Sequence, residues 1–260
     1  MASSSSSSPS SSPSSRPSSR PSPSPPSAGP GDASAPTVKA VRAELSALED
    51  PGLRAANEKR GDDHGVNLTK LRAVAKAVRT APDHKHRLAQ ELWATDDTAA
   101  RLVALLLCSP RRFTPEELDA MLRQARAPKV RDWLVSYVVK KSPHLDPLRQ
   151  TWSADPDPAV AGAGWELTAH QVYKTPQVLD LPGLLDTIEA GLQQAPPALQ
   201  WSMNNTLAAI GIAHPDLRAR ALGIGERLGV YRDYPTPRNC TSPYAPEWIT
   251  EIVRRQEQAG

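Results

Sequence analysis

The sequence predicts an all-helical protein built as a solenoid of antiparallel helix pairs. Beyond its N-terminal stretch the chain is rich in Ala, Leu and Arg, and it has one Phe in total, a composition that favours helices over strands. Trp93 and Trp133, and again Trp165 and Trp201, lie about 40 residues apart, the period of HEAT-like α-solenoids. Stacked helix pairs of this kind expose a concave surface for extended ligands. A plain helical bundle is the alternative.

Residues 1–36 are predicted to be a disordered tail that precedes the helical domain, residues 37–260. The tail is almost entirely Ser and Pro, with no apolar run able to offset the entropy of ordering. It lacks the continuous apolar region of a secretory signal. Arg16 and Arg20 among many Ser residues faintly resemble a transit peptide, although a disordered tail or linker is the main interpretation.

The helical domain divides into segments with apolar residues at helical spacing and recognisable ends. Asn67 is a candidate N-cap, Thr114 and Pro115 form a cap followed by proline, Pro51 breaks the first helix, and Gly229 closes a late one. The predicted helices span residues 38–49, 68–79, 83–93, 98–107, 115–122, 127–142, 144–152, 158–168, 181–192, 198–212, 215–228 and 245–256.

The helix predicted over residues 127–142 carries two different faces. Its apolar face consists of Val130, Leu134 and Tyr137. Its second face, at positions i, i+3, i+4, i+7 and i+11, consists of Lys129, Asp132, Trp133, Ser136 and Lys140. A carboxylate, a large aromatic and flanking cations on one face indicate the lining of a groove that meets a polyanion. The alternative is that Trp133 belongs to the core and that Asp132 is a solvated neighbour or the partner of Arg131.

Charge is distributed unevenly although the net charge is +3. Residues 111–150 hold nine basic and five acidic residues, a balance of +4, whereas residues 151–215 hold one basic and six acidic residues, a balance of −5. For the binding of a polyanionic partner, this local difference in charge matters more than the net charge of the whole chain. The acidic half favours the alternative of a protein-binding solenoid.

Several classes of function are disfavoured because their motifs are missing from the sequence. It contains no phosphate loop, HExxH, GxSxG or dinucleotide-binding glycine pattern, and no Cys/His spacing typical of zinc. We therefore expect neither a cofactor nor a metal. Cys108 and Cys240 do not make a disulfide framework, so a reduced, cytoplasmic setting is expected. No apolar stretch approaches the roughly 20 residues that span a bilayer, so no membrane partner is expected.

Six segments together resemble one protein family, and they span nearly everything after residue 60. The family is that of the AlkD-like DNA alkylation repair proteins, and the resemblance is to a subgroup that departs from its catalytic pattern. The segments are HGVNLTKLRAVAKAV from His64, LAQELWATDDTAARLVALLLCSP from Leu88, VRDWLVSYVVKK, AGWELTA, QWSMNNTLAAIGI and CTSPYAPEWITEIVRRQ.

The resemblance implies a HEAT-repeat solenoid that holds duplex DNA in a basic concave groove and excises cationic alkylated purines. Asp132 matches the position of the family's catalytic Asp, which lies beside the deoxyribose, and Trp side chains contact the damaged nucleotide. Three positions depart from the pattern. Pro128 replaces a Trp, Asn205 lies near an expected late aromatic with Trp201 one turn earlier, and Gly162 replaces a phosphate-binding Arg.

We therefore expect a metal-independent DNA N-glycosylase that acts as a monomer in the cytoplasm, at the nucleoid in a bacterium. Asp132 is the predicted catalytic residue, and Trp133 and Trp201 are the predicted nucleotide contacts. A non-catalytic binder of DNA structures on the same scaffold is the main alternative. The predicted DNA-binding residues are Lys70, Lys76, Arg101, Lys129, Arg131, Lys140 and Lys141.

Overall fold

The computed structural model describes residues 36–259, which form thirteen α-helices and no strand. The predicted all-helical class is confirmed. The predicted disordered tail lies outside the described residues apart from Pro36. The helices are α1 Val38–Ala47, α2 Pro51–Glu58, α3 Leu68–Ala77, α4 Pro82–Trp93, α5 Thr98–Leu107, α6 Pro115–Gln124, α7 Pro128–Trp133, α8 Leu145–Ser153, α9 Pro158–Lys174, α10 Leu181–Gly191, α11 Pro197–Ala213, α12 Pro215–Leu228 and α13 Ala245–Ala259.

The helices stack in two rows. Odd-numbered helices from α3 to α13 pack on one another in chain order, with α9 meeting the continuation of α7, and α4, α8, α10 and α12 each pack on a member of that row. Short turns join successive helices, so each pair is one repeat of a HEAT-like solenoid. None of the helices in residues 36–259 has both the length and the apolarity needed to cross a bilayer.

Two apolar cores meet along α9. The first extends from α1 to α9 and includes Val160 and Leu167 of that helix, and the second extends from α9 to α13 and includes Trp165 and Val172. A helix that is apolar on most sides is a buried helix. The two halves of the solenoid are therefore joined through the interior of one helix.

Two elements differ from those that the sequence predicted. Pro51 does not merely end the first helix, because Asp50 accepts a hydrogen bond from Leu53 N at 2.9 Å and starts α2. The helix predicted over residues 127–142 is regular only in α7. It continues as a π-helical turn, Leu134–Val138, and ends as a 3₁₀ turn, Val139–Lys141. Tyr137, within the π-helical turn, is half-buried and packs against the first core.

Glycine allows α9 to approach its neighbours closely. A Cβ at Gly164 would lie 2.7 Å from the carbonyl carbon of Trp152 in α8, and a Cβ at Gly162 would lie 3.1 Å from the Ala198 oxygen in α11. Backbone neighbours cannot move away as a flexible side chain can. The close spacing of the helices at these two contacts therefore requires glycine, which has no side chain, at positions 162 and 164.

We expect Gly164→Ala to lower the free energy of unfolding by about 1–3 kcal/mol, because the added methyl group overpacks α8 against α9. Urea denaturation measures the free energy of unfolding of the variant and of the original protein. Gly191→Ala is the matched control, since its nearest atom, Met203 Cε, lies at an ordinary 3.6 Å and alanine favours helix. Equal stability of the two variants would contradict the close packing at Gly164.

Candidate functional site

A groove opens on the row of odd-numbered helices, and Asp132 lies at its middle. A cleft of about 610 Å³ lies over α7, the π-helical turn, α9 and α11. A second cleft, of about 510 Å³, lies over the start of α3 and the loop before it. Asp132 lines both clefts. The concave side thus offers a continuous surface with one carboxylate at the junction of its two parts.

Asp132 is open to solvent and has one cationic neighbour. Its side chain is 59% exposed, and Lys129 Nζ lies 3.4 Å from Asp132 Oδ2, one helical turn earlier. An exposed ion pair of this kind contributes little to folding. The carboxylate is therefore free to face a ligand in the groove.

The start of α7 is held by a loop distant in sequence. Ala127, at the N-cap position, has no side chain that could cap the helix. Asp62 supplies the cap, because its Oδ1 accepts a hydrogen bond from Lys129 N at 2.8 Å. The loop is itself fixed by Asn57 Nδ2, which donates to His64 O at 2.8 Å. The position of Asp132 therefore depends on residues of the second cleft.

The π-helical turn aligns the groove side chains of this segment. Asp132, Ser136 and Lys140 are spaced by four residues, and all three line the larger cleft. A π-helical turn holds more residues than an α-helical turn, so residues four apart remain aligned. Val138, which ends this turn, and Val139, which starts the 3₁₀ turn, are both buried. Such turns occur frequently at functional sites.

The centre of the groove is close to electrically neutral. Lys140 Nζ donates to Glu166 Oε1 at 2.8 Å, and both side chains line the larger cleft with Arg131 and Asp132. Burial, and then the charges of Lys140 and Lys174, lower the pKa of His170 on the same wall. The neutral form of His170 is therefore favoured. The predicted basic groove is thus not basic at its centre.

The two predicted aromatic residues have opposite placements. Trp133 is 6% exposed and belongs to the first core, with the Arg72 guanidinium 4.8 Å above its ring and Tyr137 packed edge-on at 5.2 Å. The structure places Trp133 in the core, not in the groove. Trp201 is 44% exposed and lines the larger cleft. Trp201 can therefore contact a ligand directly.

Arg101 does not lie where a phosphate could reach it. It is buried, its Nε donates to Trp93 O at 3.1 Å, and a terminal nitrogen lies 2.6 Å from Asp96. Its guanidinium also stacks on Trp93, 4.8 Å from the ring centre. Arg101 therefore joins the end of α4 to α5, and the structure corrects the prediction that placed it on a DNA-binding surface.

The remaining predicted cations fall into distinct groups. Lys129 and Arg131 line the clefts, although Lys129, like Lys140, is paired with an acid of the groove. Lys141 is exposed and stacks on Tyr137 at 5.5 Å. Lys70 and Lys76 are exposed on α3, but they are six residues apart and lie on different sides of that helix.

Arg72 is a candidate binding residue that the sequence prediction omitted. It is exposed, covers the Trp133 ring and donates from one terminal nitrogen to Tyr137 Oη at 3.3 Å. Lys76 follows it by four residues and shares its side of α3. This spacing was visible in the sequence, but the contact with Tyr137 was not. Arg72 and Lys141 both contact Tyr137 of the π-helical turn. With Lys76 they form a group of exposed cations, which we call the cationic flank, and none of the three lines either cleft.

The three departures from the family pattern all lie on the groove. Pro128 starts α7 and lines the smaller cleft, and Asn205 lines the larger cleft four residues after Trp201. Gly162 lines the larger cleft where α9 meets α11. Within residues 36–259, no group of three or more His, Cys, Asp or Glu side chains is arranged to hold a metal ion.

Comparisons with known proteins agree with the helical-repeat fold. A family model described as "DNA alkylation repair enzyme" matches residues 41–249. One similar solved structure comes from work on a new family of proteins related to the HEAT-like repeat DNA glycosylases with affinity for branched DNA structures. It has a TM-score of 0.70 and 21% identity, and the match covers 85% of this chain and 95% of that one. A comparison with curated proteins gives no significant match.

We expect Asp62→Ala to lower the free energy of unfolding by about 1 kcal/mol, because α7 loses the acceptor for its Lys129 N–H group. Asp62→Asn keeps an oxygen at that position and should lose less. Asp63→Ala, at an exposed neighbouring acid, is the matched control. Urea denaturation compares the three variants, and equal losses for Asp62→Ala and Asp63→Ala would contradict the capping role.

Proposed function

This chain belongs to the DNA alkylation repair enzyme family, and from that premise we propose that it excises cationic alkylated purines from duplex DNA. The observation that supports this most is the exposed Asp132 carboxylate at the junction of two clefts. A carboxylate in that position can face the deoxyribose of a nucleotide lying along the groove. The reaction class is hydrolysis of an N-glycosidic bond.

The proposed reaction needs little acid catalysis. In an alkylated purine that already carries a positive charge, the bond between the sugar C1′ and the base nitrogen breaks, and its electron pair leaves with the base, which becomes neutral. The sugar then carries the positive charge, and water adds its oxygen to C1′ and releases a proton. Asp132 stabilises the sugar cation electrostatically and orients the water.

The charge pattern of the groove suits this substrate. At the centre, the negative charges of Asp132 and Glu166 balance the positive charges of Arg131 and Lys140. A phosphate is therefore attracted only weakly there, and a cationic nucleotide is not repelled. The exposed indole of Trp201 offers a face that attracts a cationic base. Phosphates are better placed over the cationic flank of Arg72, Lys76 and Lys141, where charge and counterion release favour binding.

A second candidate is a DNA-structure-binding protein that does not release bases. Pro128 occupies the position where the family pattern has an aromatic residue, and Trp133 is buried, so part of the expected contact with the damaged nucleotide is missing. The similar solved structure belongs to proteins with affinity for branched DNA. This candidate would bind DNA through the same groove and cationic flank, and it differs from the first only in that it does not cleave the N-glycosidic bond.

We expect Asp132→Asn to slow the release of methylated purines from alkylated duplex DNA by roughly 100-fold, since removing one electrostatic stabiliser of a transition state has about this effect. Chromatography of the released bases measures the rate. Asp216→Asn, which changes an exposed acid on α12 in the other row, should leave the rate unchanged.

Duplex binding by the Asp132→Asn variant should stay within about twofold of the original affinity, because an exposed carboxylate is not needed to hold phosphates. Wild-type protein that binds duplex DNA but releases no base would exclude the glycosylase proposal and favour the DNA-structure binder. Negligible affinity for DNA even at low salt would exclude both.

We expect Lys141→Ala to weaken duplex binding severalfold and to reduce the slope of log affinity against log salt concentration by about one, because one phosphate contact is lost. Fluorescence anisotropy at several salt concentrations measures both quantities. Arg87→Ala, at an exposed cation of α4 in the other row, is the matched control. An unchanged slope for Lys141→Ala would show that Lys141 does not contact a DNA phosphate.

A further inference from the structure

Three aromatic rings meet at the edge of the groove near the C-terminal end of the chain. Trp201 of α11 packs edge-on against Tyr231 at 5.4 Å and lies 6.1 Å from Tyr234, and the two Tyr rings lie 5.7 Å apart. Both Tyr residues belong to the segment between α12 and α13, residues 229–244, which we call the aromatic loop. The proposed reaction at Asp132 does not use either of them.

Two of the three rings are exposed although they are large and partly apolar, and Tyr231 is half-buried. Trp201 is 44% exposed and Tyr234 is 47% exposed. Tyr231 has a φ angle of 65°, in the left-handed region that a bulky residue adopts only when the surrounding structure holds it there. Strain and exposure together favour a binding role over a packing role.

The backbone of the aromatic loop is fixed at both ends. Asn204 Nδ2, which is buried, donates to Pro243 O at 2.9 Å. Arg232 donates to Glu226 O at 2.9 Å and to Tyr244 Oη at 3.2 Å. The exposed rings are thus presented by a preorganised loop, so that a ligand would not have to order it.

A side pocket of about 250 Å³ lies behind these rings. Its lining includes Trp201, Tyr234 and Trp248, together with the hydroxyl-bearing residues Thr236, Thr241 and Ser242. Hydroxyl groups can both donate and accept hydrogen bonds. Trp201 lines both the side pocket and the larger cleft of the groove, so the two adjoin at this residue.

We propose that the aromatic loop and Trp201 form a stacking site for one unpaired nucleobase, next to the groove that holds the duplex. Aromatic faces stack on any base, and hydroxyl groups can meet the exposed edge of a base whose partner is missing. The flat exposed rings of Trp201 and Tyr234 suit the planar face of a base. The inference rests on the proposed DNA-binding function and narrows its substrate class to DNA with an unpaired base.

The test compares the affinity of the full chain for two fluorescein-labelled DNAs of equal length, a paired duplex and the same duplex with a short single-stranded thymine flap. We expect the flap DNA to bind roughly fivefold more tightly, because an unpaired base can stack on the aromatic loop. Tyr234→Leu should abolish this preference and leave duplex affinity unchanged. Tyr234→Phe is the matched control, because it keeps the ring and should keep the preference.

A second readout uses Cys240, which is exposed and lines the side pocket. Burial raises the pKa of the Cys108 thiol to about 12, so that a thiol reagent at pH 8 should react with Cys240 first. Saturating flap DNA should slow this reaction at least about threefold, because a base seated behind Trp201 covers the thiol. Saturating paired duplex should not slow it.

Equal affinity for flap and duplex DNA would overturn the stacking site and leave the proposed function intact. Identical behaviour of Tyr234→Leu and Tyr234→Phe would also overturn it, since any preference would then come from apolar bulk and not from a ring. Failure to bind either DNA at low salt would overturn the proposed function, and the stacking site with it.

Discussion

The close approach of α9 to α8 and α11 determines the shape of the concave side. Gly164 brings the backbone of α9 against that of α8, and Gly162 brings it against that of α11. Both contacts lie in the helix that connects the two apolar cores. The larger cleft has its floor on the same helix. A shift of α9 would therefore move the groove wall and separate the cores in one step.

Gly162 also gives a physical account of one departure from the family pattern. The position lies where α9 and α11 are in backbone contact. A long side chain at this position would therefore push the two helices apart. Position 162 is therefore a contact between two helices and not an open surface that could hold an arginine. At the position where the resemblance implies a phosphate-binding residue, this chain has a packing contact. The exposed cations of the cationic flank lie on α3 and just after the π-helical turn.

The charge pattern of the groove would separate the two kinds of group in the proposed substrate. Acids and bases balance at the centre, around Asp132 and Glu166, whereas Arg72, Lys76 and Lys141 provide a cationic flank. Phosphates and a cationic nucleotide differ in sign, so a uniform basic groove would favour the first and repel the second. Trp201 links this centre to the aromatic loop, so the proposed stacking site and the proposed reaction share one wall.

The sequence by itself determined the helical class, most helix positions and the location of Asp132. Caps such as Asn67 and Thr114 and the period of about 40 residues are local signals that need no tertiary information. The acid and the cations of residues 127–142 were visible as one helical face. The position of Trp201 on a late helix also followed from spacing.

Only the tertiary structure decided which of these side chains face the groove. Trp133 and Arg101 have the chemistry of ligand contacts, but burial depends on the neighbouring helices, which a single face does not reveal. The cap that Asp62 gives to α7 and the meeting of Tyr231 and Tyr234 with Trp201 join segments far apart in sequence. Local patterns determine helices, whereas contacts between distant segments determine the site.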